Sequence, residues 1–569
     1  MISHLFGADV GKALTPRSLI SGFLLAIFLC GINSYLTLSF GVIEEGPTIA
    51  ALFFFAFFFL SKTRITTTEM VIVATMGSAG GSLGFLSNFY AAKVMTTGVS
   101  YTFFQMAGFG VVTSLVGLVF VVPLRELLVV KEELPWPGAK ATHSVITALV
   151  EEGDPRQPWY LLGFGLIALA WVIANTDGGY GLVPEASDIT LFGLAAFGAS
   201  IAWSPFAIGG AYLMGFRTCV GFLFGAIGLL LMAPHLEVPA APHRYVWPGI
   251  GFLVASGLTM MAVNWRVMVD AMRSIVGRGR DAAAGTNATA DGEAADPILS
   301  GRNFVVLATV AFVTSSVFLY VYFEINLLLI AILIAVGGFV QNVIATRAAA
   351  QTAFNPARVM GILLQGVSAV FGGARVDINL AGAGMVAGSG AQAGNLTGDM
   401  AYGRWFKVPG SWQFWTQTLT ILPCTLVSAW VFERIAATSN LALEGGDMPA
   451  PVAKMWAASA LVFDGSRPLP HFAAEAMIIA GAVGVVYVLL ENNARIARFL
   501  PSSLGIGLGL VLPISYDLAF FVGGLVLWGL FDRGLKVREL TLTTVAVACI
   551  VAEGFGGVIK PVLRLVGVL

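Results

Sequence analysis

Apolar stretches long enough to cross a lipid bilayer follow one another almost without pause along the chain. A membrane-spanning helix needs about 20 predominantly apolar residues to bridge a hydrocarbon core of about 30 Å. Stretches that meet or approach this length cover residues 18–40, 47–61, 68–89, 101–124, 159–175, 212–232 and 249–272. After a break they resume at 304–323, 327–344, 360–371, 414–432, 472–490, 506–518, 522–530 and 541–558. Shorter neighbours interrupted by Gly or Pro, at 137–150, 191–203, 378–396 and 451–463, are expected to be broken or re-entrant helices. The pattern predicts an all-α polytopic membrane protein with roughly 14 to 18 spans.

Composition narrows the class further. Of 569 residues, 57% are apolar and only 11% charged, against about 25% charged in a soluble domain. Too few polar groups exist to cover the surface of a soluble enzyme, and the apolar content rules out a disordered chain. The net charge of −1 leaves no basic excess for nucleic acid. Cys30, Cys219, Cys424 and Cys549 stand singly in apolar runs, with neither zinc-site spacing nor a disulfide framework. The first apolar run starts near Arg17 and continues towards Val42, too long for a signal-peptide core, so it is expected to remain as a span. Glycine, at 67 residues, is well above the usual share of roughly 7%. In membrane helices it permits close backbone approach and unwound breaks, which favours a transporter or channel over an anchor.

Residues 277–301, rich in Ala, Gly, Asp and Thr, read as a flexible linker between an N-terminal transmembrane repeat, 1–276, and a C-terminal one, 302–569. Arg273, Arg278, Arg280 and Arg302 flank the linker and place it in the cytoplasm. Lys12, Arg17, Lys62, Arg64, Arg125 and Lys131 fit the same side if the N-terminus is cytoplasmic, whereas Arg533, Lys536 and Arg538 leave the C-terminal topology open. Internal similarity supports the division. Pro135-Trp136-Pro137-Gly138-Ala139-Lys140 matches Pro449-Ala450-Pro451-Val452-Ala453-Lys454, and Ser204 to Gly209 matches Ser502 to Gly507. Val254-Ala255-Ser256-Gly257 matches Val551-Ala552-Glu553-Gly554. Two such halves would hold a substrate between them near the midplane. Chance alignment of Gly-rich apolar segments is the competing explanation.

Several segments also stand in a characteristic order. They are Thr75-Met76-Gly77-Ser78-Ala79-Gly80-Gly81, Leu134-Pro135-Trp136-Pro137-Gly138 with Ala141, and Ile208 through Arg217. The series continues with Asn355-Pro356-Ala357-Arg358-Val359-Met360-Gly361, then Ser389 through Leu396 with Asp399 and Gly403, and finally Ala552-Glu553-Gly554. In this combination the chain resembles the oligopeptide transporter superfamily, which includes the yellow-stripe-like metal-chelate transporters. Three positions depart from the family pattern: Asn395 replaces an acidic residue, Ala401-Tyr402-Gly403 replaces Lys-Thr-Gly, and Pro137-Gly138 lacks an intervening serine. These bear on the substrate rather than on the class. The resemblance implies about sixteen transmembrane helices in two related halves. It also implies secondary active uptake, usually with protons, of short peptides, glutathione-like molecules or peptide-derived metal chelates.

Each ionisable residue inside a bilayer is costly and therefore a functional candidate. Gln392, Asn395 and Asp399 fall at i, i+3 and i+7, on one face if the segment is helical, with Ser389 just upstream. That face would offer amides to a peptide backbone and a carboxylate to its amine or to a proton; helix gluing and interfacial solvation are the plain alternatives. Asn355-Pro356 followed by Arg358 would suit a carboxylate at a helix start, although Arg358 is equally readable as a cytoplasmic positive residue beside Arg347. Arg217, after Tyr212 in a Gly-rich apolar run, is a candidate partner for a carboxylate or else marks a helix end. Lys140 and Lys454 follow the two P-x-P stretches as anion-binding or merely anchoring lysines. His143 is more readily a hydrogen-bonded core histidine than a proton carrier. For proton coupling the candidates are Glu553, Asp399 and Glu69, the last equally readable as a helix-capping acid after Thr66-Thr67-Thr68.

Rival classes are a passive channel and an intramembrane aspartyl protease. The second would need Tyr-Asp and Gly-x-Gly-Asp on successive spans; Tyr516-Asp517 follows rather than precedes Gly398-Asp399, and Leu396 replaces the first glycine. No Walker or H-E-x-x-H pattern occurs. The expected partners are therefore a small-molecule or short-peptide substrate, protons and the lipid bilayer, with no cofactor, no metal site and no nucleic acid. A multi-pass protein of the plasma membrane (cell inner membrane) is expected, and a homodimer is left open.

Overall fold

The computed structural model describes residues 14–41, 46–61, 65–134, 136–152, 155–175, 180–263, 266, 298–352, 357–372, 375–465 and 472–565. Most of residues 277–301, read from the sequence as a linker, lie outside the described residues with Asn355 and the side chain of Arg358.

The first part of the chain folds as helices α1 (Pro16–Phe40), α2 (Gly46–Leu60), α3 (Thr67–Thr97), α4 (Phe103–Lys131) and the short α5 (Pro137–Thr147). It continues with α6 (Gln157–Ala174), α7 (Pro205–Met214), α8 (Phe216–Met232) and α9 (Trp247–Val263). The description resumes at residue 298 with α10 (Gly301–Phe323), then α11 in three pieces, Leu327–Ile332, a π-helical Leu333–Gln341 and Asn342–Thr352. Next are α12 (Ala357–Gly372) and α13, likewise in three pieces: Val376–Met385, a π-helical Val386–Gly390 and Ala391–Trp405. The series ends with α14 (Gly410–Thr438), α15 (Pro451–Asp464), α16 (Ala473–Glu491), α17 (Ser503–Gly509), α18 (Ile514–Gly534) and α19 (Glu539–Leu565).

Ten helices among the described residues are long and apolar enough to cross a bilayer, and four further apolar helices are shorter. With almost no strand, the chain is an all-α polytopic membrane protein. Two expected spans differ. Residues 506–518 form no single span, because the chain leaves the helix at Leu510 and Pro513 starts α18 anew. Residues 191–203 are neither a broken nor a re-entrant helix. They form an exposed turn at Leu191–Phe197 and one strand of a hairpin, Ser200–Ala202 against Ala186–Asp188. Gly193 and Gly198, both at positive φ, turn the chain back there.

Caps set the helix starts. Thr15 caps α1, and Thr66 and Thr102 form reciprocal capping boxes with Glu69 and Gln105. Burial then sorts the helices. The apolar stretch of α3 is wholly buried, whereas α10 and α16 expose most of theirs and so face lipid. α3 and α13 pack against each other and against α4 and α14, forming the centre of the molecule. Glycines allow the closest crossings. A Cβ at Gly117 of α4 would run into the Ser389 backbone and Gln392, and one at Gly80 of α3 into the Ala26 backbone.

The two P-x-P stretches take the same backbone shape. Trp136 and Ala450, each between its prolines, hold left-handed φ values of 43° and 38°, which non-glycine residues adopt only when their surroundings impose it. Each donates its N–H across the molecule, Trp136 to Ala350 O of α11 at 2.8 Å and Ala450 to Leu38 O of α1 at 2.7 Å. Packing is exchanged in the same manner elsewhere. α9, from the first part of the chain, packs on α16 and α17 of the second, while α19 packs on α6 and α7 of the first.

Candidate functional site

A seam of polar side chains runs through the central helices, where an apolar interior would pack more cheaply. Its axis is α13. The π-helical turn at Val386–Gly390 adds a residue to one turn of this helix, a distortion that recurs at functional sites. Ser389 lies in that turn, buried, donating to Met385 O at 2.8 Å and reaching Asn342 Oδ1 of α11 at 3.5 Å. Beyond the turn the helix resumes, so Gln392, Asn395 and Asp399 do share a face. Asn395 donates to Ser82 Oγ of α3. Asp399 is buried, and its backbone carbonyl accepts from Gln413 Nε2 of α14 at 2.8 Å. The same Gln413 amide donates to Thr75 Oγ1 of α3 at 2.9 Å, and Thr75 lies 3.4 Å from the Tyr402 hydroxyl. Four helices are thereby tied together by side-chain amides and hydroxyls.

Three glutamines of this region stand apart. Gln341 on α11, Gln392 on α13 and Gln417 on α14 are fully buried, and among the described residues neither the oxygen nor the nitrogen of any of their amides has a hydrogen-bond partner. Gln341 abuts Gly390, Gln392 abuts Gly117, and Gln417 lies one turn from Gln413. An unmade hydrogen bond in a buried amide costs about 1–3 kcal/mol, so these three glutamines, with Asn379 of α13 buried and unanswered at both amide atoms as well, are a strong departure from ordinary packing. Their oxygens accept and their nitrogens donate, the complement of a peptide group.

The remaining candidates are placed elsewhere. Glu553 of α19 sits on the N-terminus of α7. Ser204 Oγ, the helix cap, lies 2.8 Å from each carboxylate oxygen, and the Phe206 N–H donates to Oε2 at 2.8 Å. Helix dipole and free N–H groups both favour an anion at this point. Glu69, fully buried, is held by Arg17 through two bonds of 2.6 and 2.5 Å, by Thr15 at 2.5 Å, and by the Thr66 N–H of its capping box. Arg217 is half-exposed at the start of α8, bound to Glu491 at 2.6 Å and to Leu500 O at 2.8 Å. Tyr212 stacks on Trp528, ring centroids 4.8 Å apart. Lys140 is exposed, whereas its counterpart Lys454 is buried. His143 stacks on Phe406 at 4.3 Å. Thus the seam gathers Ser389, Gln392, Asn395 and Asp399, and it does not gather Arg217, Tyr212, Lys140, Glu69 or Glu553.

Sequence reasoning missed Gln341, Asn342, Gln413 and Gln417, because it weighed amides only beside Asp399 and otherwise followed charges inside the membrane. One signal was present: Gln413, Thr416, Gln417 and Thr420 recur at i, i+3, i+4 and i+7 at the start of an apolar span, a polar stripe of helical period. Among the described residues no group of His, Cys, Asp and Glu could hold a metal ion.

The family model of the OPT oligopeptide transporter protein matches residues 13–563. A Saccharomyces cerevisiae protein whose name describes it as a candidate oligopeptide transporter is similar to this chain, at 22% identity over 703 aligned positions, covering 96% of each. With the family match running over nearly its whole length, the chain belongs to the OPT oligopeptide transporter protein family.

Proposed function

We propose that this protein is a proton-coupled secondary transporter that carries short peptides or peptide-like compounds, glutathione-like molecules and chelates among them, through the seam along α13. The observation that carries the reading is the set of three buried, unpartnered glutamine amides at Gln341, Gln392 and Gln417. A peptide group brings one donor and one acceptor to each, which offsets the desolvation cost of burying these amides. Ser389, Asn395 and Asp399 complete the binding face, with the Asp399 carboxylate suited to a substrate amine. The left-handed turns before α5 and α15 and the interrupted helices α11 and α13 supply the kind of broken segments around which transporters alternate their access. Two repeats, meeting through exchanged helices, would rock about this seam. Glu553, buried on the α7 helix start, is the coupling acid of this reading. The name of the yeast relative supports the peptide class. Aspartyl protease chemistry would need two apposed carboxylates, and neither oxygen of Asp517 has a partner. The plasma membrane is its proposed home.

Reconstituted into proteoliposomes with an alkaline interior, the protein is expected to accumulate a labelled tripeptide above the outside concentration. A protonophore should return the two concentrations to equality. Uptake that never exceeds equality, with or without the gradient, would establish a passive channel and overturn the symport reading; release of cleaved peptide would establish an enzyme.

A further inference from the structure

Asp517 is a fully buried carboxyl in the opening turns of α18, and neither of its oxygens has a hydrogen-bond partner among the described residues. Helical spacing shows where it faces. Asp517, Phe520 and Gly524 lie at i, i+3 and i+7 on one side of α18. Phe520 stacks on Phe222 of α8 with ring centroids 4.5 Å apart, and a Cβ at Gly524 would meet Cys219 of the same helix. Its side of the helix is therefore turned towards α8, whose buried residues there are Cys219, Gly221, Phe222, Gly225 and Ala226.

Among the described residues nothing charged answers it. α18 packs against α7, α8 and the strand Ser200–Ala202, and its π-helical end meets α19. α7 brings only Tyr212, which stacks on Trp528. α8 brings Cys219 and Arg217, and Arg217 is bound to Glu491 and Leu500 O. The strand brings no titratable group, though Glu185 of the same hairpin meets the Tyr516 hydroxyl at 3.3 Å. The end of α18 brings Asp532 and Arg533, and α19 brings Glu539, Cys549 beside Gly209 of α7, Lys560 and Glu553, the last held by Ser204 and Phe206. None of these makes a hydrogen bond or ion pair with Asp517.

A fully buried carboxylate with no donor and no countercharge among the described residues is strongly disfavoured in an apolar interior, so this carboxyl takes up a positive ion. A metal cation requires several oxygen ligands, which the α8 face does not provide; a proton requires one. The location fits a coupling ion. Asp517 lies one turn after the break at residues 510–513, and α7 joins α8 through Gly215 at a φ of 82°, so the pair of discontinuous helices has hinges on both sides.

We propose that Asp517 is a proton-carrying carboxyl of the transport cycle, outside the peptide-binding seam, holding its proton in this conformation and releasing it when α8 and α18 part. This rests on the proton-coupled reading above. The test is Asp517→Asn, an isostere of the protonated carboxyl that cannot release a proton. With one proton per cycle, a one-unit pH gradient supports about tenfold peptide accumulation. Asp517→Asn is expected to abolish this accumulation while preserving peptide exchange at zero gradient, and Asp517→Glu to retain accumulation with an altered pH dependence. Infrared difference spectra of the wild type, which do not depend on a variant folding, should show a protonated carboxyl C=O band at neutral pH that shifts in deuterium oxide and is missing from Asp517→Asn. Gradient-driven accumulation equal to wild type in Asp517→Asn, or no such band in the wild type, overturns the assignment. Wild-type uptake indifferent to pH would instead sink the symport reading, and this proposal with it.

Discussion

Arg17→Ala is expected to destabilise the protein by about 3 kcal/mol, near the lower end of what breaking a buried ion pair costs. Glu69 has no exposed side-chain surface, while Arg17 keeps 29% of its own. Removing the guanidinium deletes the two bonds of 2.6 and 2.5 Å and leaves a carboxylate stranded at the packed start of α3. Thr15 and the Thr66 N–H remain as partners, which keeps the loss below the upper end of the range. Arg17→Lys retains the charge but not the two-pronged geometry and should lose roughly 1 kcal/mol. The double variant Arg17→Ala, Glu69→Gln should recover part of the loss, because the uncompensated charge is gone. Denaturant unfolding in detergent micelles measures all three; an Arg17→Ala protein as stable as the wild type would show that the pair is only a surface contact.

The second large effect separates stability from function. Gln392→Leu replaces an amide that has no partner by an apolar side chain of similar size. Removing two buried, unanswered polar atoms should stabilise the fold by about 1–2 kcal/mol. If those atoms serve the substrate, the same change should lower peptide uptake by roughly tenfold or more, the cost of one lost hydrogen bond to the ligand. Gln413→Leu should behave oppositely in stability, since its amide bridges Thr75 Oγ1 and Asp399 O across three helices. It should lose about 1–2 kcal/mol. Thermal unfolding together with initial uptake rates distinguishes the two glutamines. A Gln392→Leu protein that is destabilised yet transports normally would mark Gln392 as ordinary structural glue.

Much of the architecture can be read from residue order because the bilayer leaves helices little choice. The face shared by Gln392, Asn395 and Asp399 follows from spacing alone, and the capping role open to Glu69 follows from Thr66 three residues earlier. What local patterns do not contain is the partner. Arg217 reads as a partner for a carboxylate or as the mark of a helix end, but only the fold shows that it begins α8 after the turn at Gly215 and that its partner is Glu491, on a helix 274 residues away. Glu553 stands out as an acid among apolar residues, whereas its cap on the α7 start depends on a contact 349 residues distant. Gln341, Gln413 and Gln417 were hidden for another reason: without a carboxylate nearby, such as the one that drew attention to Gln392, an uncharged amide in a span passes for packing. The hairpin at residues 186–202 shows the reverse error, in which apolar content suggested a membrane segment and two glycines at positive φ turned the chain back.

The central claim is that peptide binds along α13. The native cysteines Cys30, Cys219 and Cys424 are buried and Cys549 is partly so, leaving little background for thiol labelling. Asn395 is only partly buried and lies on the proposed binding face. The measurement is the rate at which a small alkylating reagent modifies Asn395→Cys in a transport-competent protein, with and without saturating tripeptide. Slower labelling in the presence of peptide is the predicted result; the same rate under both conditions would contradict substrate binding at this seam.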